Sequence, residues 1–80
     1  MKIGILSDTH GFVHPAIREV FAGADYIIHA GDIGSREVLS SLGLVAPVIA
    51  VRGNIDGEDL RDCGKIERRV LEGVRFVVVH

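Results

Sequence analysis

Short apolar runs alternate along this chain with segments in which apolar side chains recur at helical spacing, and glycine or proline marks most of the changes. Residues 2–7, with Ile3, Ile5 and Leu6, form a continuous apolar run that suits a central strand. Pro15 fits the first turn of a helix; Ile17, Val20 and Phe21 follow at helical spacing, and Gly23 stops it. Tyr26 to Ala30 reads as a second strand ending in Gly31-Asp32. Ser35 reads as the N-cap of a second helix, whose stripe is Val38, Leu39 and Leu42 before Gly43. Ala46 to Val51 is the third strand, with Pro47 confined to its start. Glu72-Gly73 sits where a tight turn would join strands at about 66–71 and 74–79. Residues 57–65 are the least regular stretch and the expected mobile loop.

The order β-α-β-α-β plus a hairpin predicts an α/β fold with a right-handed, largely parallel sheet and helices packed on it. Eighty residues make a single domain, one that buries only ~60% of the surface its unfolded chain exposes. The final run Phe76-Val77-Val78-Val79 meets His80 with no turn or polar cap. A strand that reads as buried needs neighbours on both edges and both faces. The expectation is therefore an incomplete domain, the N-terminal part of a longer one.

Composition removes several classes of function. Net charge is −2, so there is no basic footprint for nucleic acid and no attraction to a membrane surface. Cys63 is the only cysteine, which excludes an intrachain disulfide and a thiolate zinc cluster. No apolar run approaches the ~20 residues of a membrane span, and the N-terminal run is too short for a signal peptide. A cytoplasmic location is the expectation.

The chemistry gathers where strands end. Asp8 and His10 follow the first apolar run, Asp32 the second, Asn54 the third and His80 the last. In open α/β sheets ligands bind outside the carboxyl ends of the strands. All five residues offer oxygen or imidazole donors, and a transition metal accepts that mixture. Taken singly, Asp8 and Asp32 are ordinary cap or turn carboxylates, Asn54 a turn residue, His10 a surface histidine and His80 a chance terminal one. Their joint placement favours one metal site. Gly31 and Gly53 are expected to let the chain turn tightly and to leave room for a phosphate. Elsewhere the bland reading wins. His29 is a hydrogen-bonded core residue, His14 an exposed one near enough to touch substrate, Asp25 a strand starter, Glu67-Arg68-Arg69 a solvated face, and Cys63 an unmarked loop thiol.

The blocks Ser7-Asp8-Thr9-His10-Gly11, Ala30-Gly31-Asp32 and Arg52-Gly53-Asn54 resemble the D-x-H, G-D and G-N motifs of the calcineurin-like metallophosphoesterases. The resemblance is to the small bacterial and archaeal phosphodiesterase branch, related to the phosphoesterase-like retromer subunit. It implies the N-terminal half of an α/β/β/α sandwich and a dinuclear site. There Asp8 and His10 would bind one cation, Asp32 would bridge both, and Asn54 and His80 would bind the second. Asp32 and Asn54 would be the catalytic residues. The implied cofactors are two divalent transition metals, manganese first, with nickel, zinc or iron as alternatives. The implied reaction is hydrolysis of a phosphate ester, a phosphodiester above all, by a hydroxide held between cations ~3.5–4 Å apart.

Two departures from the family pattern stand out. A later Gly-His-x-His block is missing, so the ligand set is short. Ile55 also replaces the histidine that many members carry after the asparagine. The expected partner is a small phosphate-ester substrate, with room for a homo-oligomer. The alternative is a non-catalytic interaction scaffold with the same fold, like the retromer subunit.

Overall fold

The computed structural model describes residues 1–80. Three parallel strands, β1 (Ile3–Leu6), β2 (Tyr26–His29) and β3 (Val48–Ala50), form a sheet in the order β1-β2-β3. Helices α1 (Ala16–Val20) and α2 (Arg36–Gly43) provide the crossovers. A short 3₁₀ helix (Glu58–Leu60) follows, and then the antiparallel hairpin β4 (Ile66–Leu71) and β5 (Val74–Val79). The predicted element order is the observed one.

Side chains on β2 alternate between two cores, as a strand's period of two requires. Ile27 points into a cluster with Ile33, Val38, Leu42, Ala46 and Leu60, beneath α2. Ile28 points the other way, into Ile49, Val51, Leu71 and Val78, where the hairpin packs. The layers are thus helix, parallel sheet and hairpin, with β2 buried on both faces. Ile27, Leu42 and Leu60 are essentially inaccessible to water.

Several expectations change. The first strand is not central: β1 pairs only with β2, and Ile5 is 66% exposed on the open side. Its start is clipped to the sheet by Asp25, whose carboxylate accepts the Lys2 N–H at 2.8 Å. The last apolar run is not buried throughout. Only Val78 of β5 is buried, while Val77 and Val79 lie 66% and 59% exposed, because the hairpin packs with one face alone. Residues 57–65 are not a loose loop. Leu60 plugs the helix-side core, Arg36 pairs with Asp62, and Arg36 Nε donates to the Asp59 carbonyl at 3.0 Å. Ser35 does occupy the N-cap of α2, but its hydroxyl makes no capping bond. Helix α1 buries no residue fully; Phe21, just beyond it, lies over Gly4, where any Cβ would meet the ring at 2.8 Å.

Candidate metal centre

The loops after β1 and β2 run side by side. The amides of Asp8, His10 and Gly11 donate to the carbonyls of Gly31, Asp32 and Ile33 at 2.9, 3.0 and 2.7 Å. That pairing forces an unusual backbone. Asp8, His10 and Asp32 adopt φ of 57°, 50° and 53°, in the left-handed region that residues with a Cβ seldom enter. Glu72 in the hairpin turn is the only other such residue. Strain of this kind persists only where surrounding bonds over-determine it, and it gathers at functional sites.

The loop after β3 closes the rim. Asp56 accepts three backbone amides, from Gly53 at 2.8 Å, Gly34 at 2.8 Å and Ile33 at 3.1 Å. Burial raises the pKa of this carboxyl, but the Gly53, Gly34 and Ile33 amides outweigh it and hold the group below the usual range. In the sequence its only signal is an aspartate two residues beyond Gly53-Asn54. Strand β5 then delivers His80, whose Nδ1–H donates to the Ala30 carbonyl at 2.8 Å. That bond leaves Nε2 as the ring's free lone pair, the arrangement that histidine ligands use.

The result is a convergence of donors. Ligand atoms of Asp8, Asp32 and His80 all lie within 4.8 Å of one another. His80 Nε2 is 3.5 Å from Asp32 Oδ2, and His10 Nε2 is 3.9 Å from the same oxygen and 3.8 Å from Asp8 Oδ1. Asp32 is 8% exposed, and its Oδ1 accepts the Ile55 amide at 3.3 Å, so Oδ2 is the oxygen that faces the cluster. Asp8 lies open to solvent, and its pKa is lowered, mainly by the Ser7 hydroxyl and less by the His80 and His10 rings. Asn54 is exposed on the wall of a cleft of about 300 Å³ that it shares with Arg52, Gly53, Lys65 and His80.

Gly31, at φ 108°, makes the tight turn expected of it, and Gly53 lines the cleft beside Asn54. Both also make way for donors: a Cβ at Gly31 would meet the His80 ring at 2.6 Å, and one at Gly53 would overlap Asp32 Oδ1. His29 is a satisfied core histidine as expected, fully buried, and burial lowers its pKa. His14 is exposed, its Nδ1 accepting the Ala16 amide at 3.1 Å. The Cys63 thiol is half-buried and pushed up by desolvation, which makes it a poor nucleophile.

Two carboxylates and two imidazoles converging at these distances are a donor set that fits a divalent cation. The sequence profile of the calcineurin-like phosphoesterase superfamily domain matches residues 1–80. The chain belongs to this superfamily. It is 46% identical over 61 residues to a probable metallophosphoesterase of Methanocaldococcus jannaschii, covering 70% of this chain and 32% of that protein. A phosphodiesterase of the same archaeon is 45% identical over 64 residues, covering 72% of this chain and 38% of that one. A probable metallophosphoesterase of Methanothermobacter thermautotrophicus is 39% identical over 61 residues, covering 70% and 36%. The aligned part is thus about a third of each relative's length. The crystal structure of Chaetomium thermophilum Vps29 superposes on 94% of this chain and 43% of that one, with a TM-score of 0.77 at 14% identity, which shows a shared fold. No helix is long and apolar enough to cross a membrane.

Proposed function

We propose that this chain carries the strand-end half of a dinuclear metal centre in a phosphodiesterase, with Asp8, His10, Asp32, Asn54 and His80 as ligands. The observation that carries the reading is the meeting of Asp8, Asp32 and His80 within 4.8 Å at the carboxyl rim of the parallel sheet. Asp8 and His10 would hold one cation and His80 with Asn54 the other, while Asp32, whose Oδ2 faces the cluster, would contribute to both. Divalent cations held there, manganese first, would supply charge neutralisation for a phosphoryl group and activation of a water. The chain's own residues do the rest. Arg52 and Lys65 line the cleft beside Asn54 and His80, and their positive charges suit an anionic ester. Ile55 has no proton to give a leaving group, so aryl esters should be cleaved faster than alkyl esters. The difference should approach the ~10²–10⁴-fold that general acid help supplies.

The aligned part is about a third of each curated relative's length, so residues 1–80 by themselves are expected to bind metal weakly and to turn over little. Equilibrium dialysis against manganese followed by metal analysis tests the centre. Binding that approaches two ions per chain as manganese rises supports it, and no binding at millimolar manganese refutes it. Comparable rates on aryl and alkyl phosphodiesters would refute the leaving-group reading.

A second reading is a non-catalytic scaffold. The absence of an acid at Ile55 and the exposed apolar side chains Ile66, Val70, Val77 and Val79 on one face of the hairpin favour it. No manganese bound even at millimolar concentration would decide for this alternative.

A further inference from the structure

The buried imidazole of His29 has no part in the ligand set, yet it touches both loops that supply it. Thr9 Oγ1 lies 2.9 Å from the Ile33 carbonyl and 3.0 Å from His29 Nε2. A carbonyl only accepts, so the single hydroxyl proton of Thr9 goes to Ile33. The hydroxyl oxygen must then accept from His29, which places a proton on Nε2. At the other side of the ring, the Gly31 amide donates to Nδ1 at 3.1 Å, so Nδ1 carries a lone pair. The tautomer is therefore set from both ends: neutral, with Nε2 protonated.

The positions of these contacts matter more than their number. Thr9 stands between Asp8 and His10, and Gly31 and Ile33 stand on either side of Asp32. The backbone bonds between the two loops come from Asp8, His10 and Gly11, so the Thr9 side chain fills the gap in that ladder. Asp8, His10 and Asp32 all sit at positive φ, a conformation that Asp and His enter more readily than most residues but that remains uncommon outside glycine. His29 is fully buried in β2 and cannot exchange these bonds for water.

We propose that His29 and Thr9 are positioning residues. Their relay, from the Gly31 amide through the imidazole and the hydroxyl to the Ile33 carbonyl, holds Asp8, His10 and Asp32 in the geometry that binds metal. The inference rests on the metal reading above and adds the device that pre-organises the site. Partners of this outer kind are worth ~10–100-fold in metal affinity.

The test uses Thr9→Val, which keeps the shape and removes the hydroxyl, and Thr9→Ser, which keeps the hydroxyl. Manganese dissociation constants are read by electron paramagnetic resonance. Amide exchange is read at Asp8, His10 and Gly31. Long-range proton–nitrogen correlation on the parent protein reports the His29 tautomer. The expected result is a Thr9→Val variant that binds manganese at least about 10-fold more weakly and exchanges those amides faster. Thr9→Ser should resemble the parent, and His29 should be protonated at Nε2. A His29 protonated at Nδ1 overturns the proposal. So does a Thr9→Val protein with parental affinity and exchange, or a Thr9→Ser protein as impaired as Thr9→Val. If the parent binds no manganese, the metal reading alone fails, and tautomer and exchange still decide the relay. Should Thr9→Val not fold, the parent tautomer and Thr9→Ser decide it.

Discussion

The rim of the parallel sheet and the β4-β5 hairpin are held by opposite means. Rim bonds join residues far apart in sequence: Asp8 to Gly31, His10 to Asp32, and Asp56 to Ile33 and Gly34. The hairpin is a local ladder, with Ile66 opposite Val79 at one end and Leu71 opposite Val74 at the other. Both regions contain positive φ, but for different reasons. In the hairpin, Glu72 and Gly73 at 48° and 80° make the two-residue turn that a right-twisted ribbon favours. At the rim, the same region of backbone space is imposed on two aspartates and a histidine by bonds to distant loops. Strain in the turn serves the chain's path; strain at the rim serves side-chain placement.

Four predictions should sharpen or break this contrast. Largest is Asp32→Asn, which keeps the amide contact at Oδ1 but removes the charge that faces His10 and His80. Manganese affinity should fall by more than the ~10–100-fold expected of an outer partner, with an unchanged circular dichroism spectrum. Parental metal content in that variant would remove Asp32 from the site. Next, Ile27→Ala beneath α2 should cost about 2–5 kcal/mol in urea unfolding. Val77→Ala on the hairpin's open face should stay within about 0.5 kcal/mol. Equal costs would mean that the hairpin face is covered in solution.

The third comparison sets Gly34→Ala against Gly73→Ala. Both place a Cβ at positive φ, worth about 1–2 kcal/mol. Only at Gly34, φ 94°, would that Cβ also run into the Gly11 backbone, which adds roughly 1–3 kcal/mol. Similar melting temperatures for the two variants would show that the rim yields more easily than its bonds suggest. The smallest effect is on pH dependence. Because burial lowers the pKa of His29, the unfolded chain takes up a proton there before the folded one does. The contribution of His29 is present above the ordinary histidine value of about 6.5 and is lost as pH falls through the lower folded value. Melting temperature should decline gradually below about pH 6.5, and a His29→Gln variant should lack that part of the decline.

Much of the fold was legible because local signals agreed. Apolar runs, the spacing of Val38 and Leu42, and Glu72-Gly73 each pointed to the element that formed. Errors came where burial depends on what lies alongside. Ile5 and Val77 are as apolar as Ile27, but nothing covers them. Leu60 sat in a polar stretch and was read as loop, though it fills the helix-side core. At the candidate site, Asp8, His10, Asp32 and His80 come together, while Asn54 lies on the adjoining cleft wall. Thr9 was given no role of its own and His29 was read only as a hydrogen-bonded core residue, because their value, like that of Asp56, lies in links to the neighbouring loops. Such links leave no mark on spacing.

Residue order alone determined the succession of strands and helices and put donors at four strand ends, since periodicity and turn chemistry act within a few residues. Only tertiary structure decided that Asp32 Oδ2 faces His80, that Gly53 has no room for a side chain, and that His29 is fixed as one tautomer. Those outcomes depend on hydrogen bonds and overlaps between segments 20 or more residues apart, which form only when the layers close.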